Sequence, residues 1–159
     1  QRDGLVQTFD VGTNLTLASL DDSLVRGVIS RRLEKSRSKE LISAVTVKTP
    51  GPELPIGALS GGNQQKVVIG KIIATNPRVM LLDEPSRGID VGAKGEVFRL
   101  LAERARQGLA VVYSTSEVGE CLSIAHRIIV MRRGQISAEF TPDVTKDMIM
   151  AASGEAAAA

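Results

Sequence analysis

At 159 residues the chain is long enough for one domain, or for a compact domain with a small subdomain. It is 43% hydrophobic and 24% charged, with 20 basic residues against 18 acidic, an ordinary globular balance that favours no anionic partner. Three Phe, one Tyr and no Trp leave few platforms for stacking bases, which argues against a nucleic-acid partner, and no apolar run approaches the roughly 20 residues that span a bilayer.

The opening Gln1-Arg2-Asp3-Gly4 has neither an initiator Met nor an apolar leader, so the chain reads as a piece that begins inside a larger protein. Residues 1–20 alternate weakly in polarity, with Gly4 and Gly12 as turns. Asp21 and Asp22 predict the cap of a helix running toward Arg32. A second helix is expected over 38–47, with Leu41, Ile42 and Val45 on one face and Pro50 and Pro52 beyond its end. Residues 1–58 thus read as a mainly helical subdomain.

The pattern then changes to loop, helix, strand, loop, helix, strand. A helix is expected over 63–75, stopped by Asn76-Pro77. The apolar run 79–82 predicts a strand buried on both faces. Asp90 opens another helix, with Val97, Leu100, Leu101 and Ala105 at helical spacing and Gly108 as its stop. Residues 109–113 predict a second buried strand that includes Tyr113. Strands over 128–131 and 136–140 flank a turn with Gly134 at a positive φ, and a helix over 143–152 follows. Cys121, the only cysteine, allows no intrachain disulfide and reads as a small apolar filler. His126 reads as a surface or packed side chain. Residues 153–159 read as a disordered tail. Alternating strand and helix predicts an α/β fold with a parallel sheet.

Three clusters carry chemistry. In Leu59-Ser60-Gly61-Gly62-Asn63-Gln64-Gln65, two glycines expose backbone N–H groups just before a helix. The helix dipole and the Ser60 hydroxyl add to them, making a site suited to a phosphate. In Val79-Met80-Leu81-Leu82-Asp83-Glu84-Pro85, a strand delivers two carboxylates to its C-terminal end. One can serve Mg²⁺, and its neighbour, turned the other way by strand alternation, can orient or deprotonate a water. In Ser86-Arg87-Gly88-Ile89-Asp90, Gly88 allows a tight turn and Asp90 caps a helix. Each cluster taken alone also fits a plain structural role: a cap, a solvated strand end, a loop.

Together the three resemble the ATP-binding-cassette (ABC) ATPases. Residues 59–65 resemble the signature motif, 81–85 resemble Walker B with its catalytic glutamate, and 86–90 resemble the D-loop. The resemblance is strongest to the second, C-terminal cassette of the double-cassette sugar-importer group. There a signature ending Asn-Gln-Gln-Lys and the run Arg87 to Lys94 are characteristic, and Arg2-Asp3-Gly4-Leu5 and Val47-Lys48-Thr49-Pro50 look similar. It implies a partial P-loop NTPase core of RecA-like, ABC type, with parallel strands, over 59–152, beside the helical subdomain.

In such ATPases, ATP lies between the Walker A loop of one cassette and the signature loop of another. The resemblance therefore implies that Ser60, Gly61, Gly62 and Gln64 face the γ-phosphate of an ATP held by a partner cassette. It implies that Asp83 serves Mg²⁺, Glu84 the catalytic water, and Asp90 a link across the interface. The partners would be a second cassette and transmembrane permease subunits, at the cytoplasmic face of the membrane. Two departures matter. No Gly-x-x-x-x-Gly-Lys-Ser/Thr occurs, so this chain alone is expected to be inactive and the cassette to be truncated ahead of its signature-containing half. Ser116 stands at the switch position, where many cassettes carry His. Serine donates a hydrogen bond there but relays no proton near neutral pH. The expected outcome is a cassette that lends its signature loop while its own site turns over slowly. Self-association through uncovered apolar surface is also expected. Two other classes fit less well. A DNA-repair or translation ABC ATPase would show charged coiled-coil arms or basic linkers, and neither is present. An inactive regulatory module fits the missing phosphate loop only for this chain by itself.

Overall fold

Asp10 starts the first helix, α1 (Val11–Thr16): its Oδ1 accepts from the Thr13 N–H at 2.7 Å. Buried Asn14 ties the preceding loop to α1, its Oδ1 accepting from Val6 N and its Nδ2 donating to Val6 O and Asp10 O. Its polar atoms are thereby satisfied within the interior. The structure, a computed structural model, describes residues 4–154. Arg2 and Asp3 of the opening segment, and 155–159 of the expected tail, lie outside the described residues.

The helix expected from Asp21 toward Arg32 does not form. Leu20–Ser23 makes one 3-10 turn, followed by a two-stranded hairpin, β1 (Leu24–Val25) and β2 (Val28–Ile29). Arg26 and Gly27 form its tip with φ of 52° and 80°. Val25, Val28 and Ile29 favour extended backbone, and an adjacent glycine admits the left-handed turn that joins short strands, so hairpin chemistry overrides the acidic cap signal. The next helix, α2 (Arg31–Ala44), starts earlier than expected because Ser30 caps it, accepting from Leu33 N.

Helices α3 (Gly61–Ile73) and α4 (Val91–Arg106) flank β3 (Val79–Asp83) in sequence, and β3 pairs in parallel with β4 (Ala110–Ser114). Helix α1 packs on α2 and α3, and α3 packs on α4. Val11, Leu15, Val45, Ile56, Val67, Ile69, Val97 and Leu101 are core residues. Strand β3 departs from expectation. Met80 is 1% exposed, but Val79 and Leu81 are 54% and 73% exposed, so one face is covered and the other stands open. A strand run is buried on both faces only where a layer lies on each side, and these residues lack that second layer.

The chain divides into two units, residues 1–112 and 113–159, with the division inside β4. Helices α1 and α2 bury their faces on α3. The second unit holds α5 (Val118–Ile124), β5 (Ile128–Arg132), β6 (Gln135–Phe140) and α6 (Lys146–Ser153). Arg133 and Gly134 close the β5–β6 hairpin at φ of 49° and 78°. Ile128, Val130 and Ile149 form its core, with Val118, Cys121, Leu122 and Phe140 packed around them. Ser153 ends α6 and Gly154 caps it in the left-handed conformation, so the first two residues of the expected tail are ordered.

Candidate functional site

Asp83 is the last residue of β3 and is exposed. Glu84 follows with φ of 46°, outside the strand. Strand alternation therefore does not aim its side chain. A left-handed backbone does, a placement that costs roughly 1–2 kcal/mol for a residue with a Cβ. Such outliers are held only where surrounding structure fixes them.

The segment after Glu84 is a compact turn. Arg87 N donates to Glu84 O at 3.1 Å, buried Ser86 accepts through its carbonyl from Ile89 N, and Gly88 has φ of 75°. Asp90 is the cap of α4, its Oδ1 accepting from Ala93 N at 2.9 Å.

Residues 59–65 are arranged differently. Ser60 occupies the cap position of α3, yet its side chain makes no capping bond. Its Oγ instead accepts from Asn63 Nδ2 at 3.0 Å. Gln64 donates its Nε2 to Leu59 O at 3.0 Å, which braces the loop from inside. Gly61 is the first helical residue. Gly62 is buried, and a Cβ there would stand 2.3 Å from the Ala93 Cβ. The start of α3 is thus seated on the first turn of α4, a contact that only glycine permits. The first turns of the two helices that follow the phosphate-suited loop and the Asp90 turn meet at this point.

One group escaped the sequence reading. Lys66, 2% exposed, donates its Nζ to Thr46 O at 3.0 Å and to Glu96 Oε2 at 2.7 Å. Lys48 Nζ reaches the other Glu96 oxygen at 2.9 Å. Bonds from both lysines hold the Glu96 carboxyl down to about 2. The Lys48 N–H donates to Asn63 Oδ1 at 2.9 Å, joining this group to Ser60 through Asn63. A signal was available: Lys66 falls four residues after Gly62, on the face that also buries Val67, Ile69 and Gly70. A cation on a buried stripe needs an anion from another element.

Ser116 belongs to the second unit, between β4 and α5. Near it, Thr115 Oγ1 donates to Glu120 Oε2 at 2.6 Å, and the Tyr113 hydroxyl donates to Glu120 O at 3.1 Å. Burial first, then Cys121 and Glu120, push Tyr113 up to about 12, and burial also raises Cys121. Neither group changes charge near neutral pH.

Among the described residues, no three His, Cys, Asp or Glu side chains gather as a metal cluster. The Asp83 carboxylate still suits Mg²⁺, a hard ion that keeps several waters and takes much of its shell from phosphate oxygens rather than from a protein cage. No helix among them is long and apolar enough to cross a membrane.

Residues 1–87 match the protein family described as ABC transporter. A xylose import ATP-binding protein of Photobacterium profundum is 43% identical over 151 residues, which are 94% of this chain and 30% of that protein. A ribose import ATP-binding protein of Rubrobacter xylanophilus is 46% identical over 94% of this chain and 29% of its own length. The chain therefore spans about 30% of the length of these relatives. Among solved structures, a dimeric ATP-binding cassette in a post-hydrolysis state with ADP and Pi superposes with a TM-score of 0.73 at 24% identity, over 91% of this chain and 62% of that one. A nucleotide-free cassette from an ABC transporter gives 0.73 at 20% identity, over 85% and 56%. These likenesses establish the fold as that of an ABC ATPase cassette.

Proposed function

The chain belongs to the ABC transporter family, and from that premise we propose that it is the signature-bearing part of a C-terminal cassette that drives a sugar importer, facing an ATP held by a partner cassette. The carrying observation is the start of α3. Ser60 sits at the cap position but does not cap, so the first N–H groups of the helix are not taken up by its side chain. An uncapped helix start with a hydroxyl beside it stabilises negative charge. Import of a pentose or related sugar is carried over from the relatives named for xylose and ribose.

Asp83 would hold Mg²⁺ with the nucleotide's phosphates, and the ion, when bound, draws negative charge from the transferred phosphoryl group. Glu84 orients the attacking water and accepts its proton. Ser116 stands at the position of the family's switch residue, where serine can donate a hydrogen bond but relays no proton. Gln64 braces the loop through Leu59 O. No glycine-rich phosphate loop with a Gly-Lys-Ser/Thr ending occurs in these residues, so the β- and γ-phosphates are cradled by other residues of the assembly. The partners are a second cassette and membrane-spanning permease subunits, and the chain works at the cytoplasmic face of the membrane.

In the intact protein, Ser60→Arg is expected to remove most ATP hydrolysis, because the guanidinium fills the space for the γ-phosphate. Glu84→Gln is expected to leave part of it, since the partner's site continues. Loss of all turnover in Glu84→Gln alone would refute this division of labour. Calorimetry of the chain with millimolar MgATP is expected to show no binding. Micromolar affinity would mean that the chain builds a phosphate cradle of its own.

A further inference from the structure

We propose that Lys66, Glu96 and Lys48 are positioning residues that tie the Ser60 loop to the helix begun by Asp90, so that the Ser60 loop and the Asp90 turn move as one body. This rests on the functional reading above for what the loops face, but the tie itself is read from geometry. Two routes connect Ser60 to α4. The first runs along α3 to Lys66, whose buried Nζ donates to Glu96 on α4. The second runs from the Ser60 hydroxyl through Asn63 to the main chain of Lys48, whose Nζ donates to the other oxygen of Glu96. Glu96 is thus the common acceptor, and each of its oxygens carries one cation. Between the routes, the Gly62–Ala93 contact leaves no room for one helix to slide toward the other. Lys66 also donates to Thr46 O beyond the end of α2, which fixes its Nζ from a third element. A cation so fixed transmits displacement, because moving α4 pulls Glu96 off two donors at once.

A simple stabilising ion pair would shift the melting temperature and nothing else. The tie predicts more. Lys66→Met and Lys48→Met are made in the intact ATPase, and hydrogen exchange is followed by mass spectrometry together with MgATP hydrolysis. Each variant is expected to speed exchange in 60–64 and in 90–94 together, with 128–140 unchanged. The kcat should fall roughly tenfold or more, since small misplacement of positioning groups is costly, while KM for MgATP stays within about twofold. Lys66→Arg can donate to the same two acceptors and should restore both readouts. Lys48 is mostly exposed, so its variant is expected to fold even if Lys66→Met does not. Faster exchange in only one segment, an unchanged kcat with both variants, or failure of Lys66→Arg to rescue overturns the proposal. If Ser60→Arg leaves hydrolysis intact, the functional reading falls, and the paired exchange still decides whether the tie exists.

Discussion

Helices α3 and α4 both begin with a residue able to cap, and only α4 uses it. Asp90 spends an oxygen on Ala93 N, whereas Ser60 makes no such bond. The two first turns share one contact. The start of α3 is seated on Ala93 through Gly62 and held by Lys66 farther along. The start of α4 receives Gly62 at Ala93 and is otherwise little covered: Val91 is exposed, and a Cβ on Gly95 would touch nothing within 4 Å. The comparison teaches that a residue at a cap position need not cap: the Ser60 hydroxyl accepts from Asn63 instead.

The largest expected effect tests the role proposed for Ser60. Ser60→Arg should reduce ATP hydrolysis of the intact protein by roughly 100-fold, as removal of an oriented donor does at comparable sites. Ser60→Ala should move unfolding free energy by less than about 0.5 kcal/mol, because the side chain caps nothing. A loss near that of a true cap in urea titration would break the comparison. Gly62→Ala should cost about 1–3 kcal/mol, since its Cβ meets Ala93 and the helices must separate. Ala93→Gly in the same chain should recover much of it, which thermal melts of the single and double variants would reveal. Asp90→Ala should cost about 1 kcal/mol and Asp90→Asn close to nothing, because either side-chain oxygen can accept from Ala93 N.

The smallest effect is the pH dependence carried by Glu96. Its carboxyl is lowered from 4.5 to about 2 by bonds from Lys66 and Lys48. A depressed acid contributes stability that is present above its unfolded value and lost as pH falls through its folded value. The contribution should therefore be intact at pH 5 and fade between about 4.5 and 2. Urea midpoints at pH 5 and pH 2.5 should differ less in Glu96→Gln than in the parent. An equal difference in both would mean that other groups dominate the acid transition.

The chemistry of short segments was legible from residue order. The strand that ends in Asp83, the turn at Gly88, the Asp90 cap and the Arg133-Gly134 hairpin depend on neighbours only a few positions away. So does the start of α3 at Gly61, directly after Ser60. Even within this range, competition mattered. The acidic pair at 21–22 promised a helix cap, but β-branched residues around Arg26-Gly27 made a hairpin instead.

Tertiary structure decided what order along the chain could not. Glu84 takes its direction from a left-handed backbone rather than from strand alternation. Strand β3 is covered on one face only, which depends on the layers present and not on its own apolar residues. Helices α1 and α2 bury their faces on α3, a contact between segments far apart in sequence. Lys66 finds Glu96 thirty residues away. Residue order alone shows only that a lysine on a buried stripe requires a partner. Which acid meets it is set by how α3 crosses α4, and that crossing exists because Gly62 lets two backbones approach where any side chain would hold them apart.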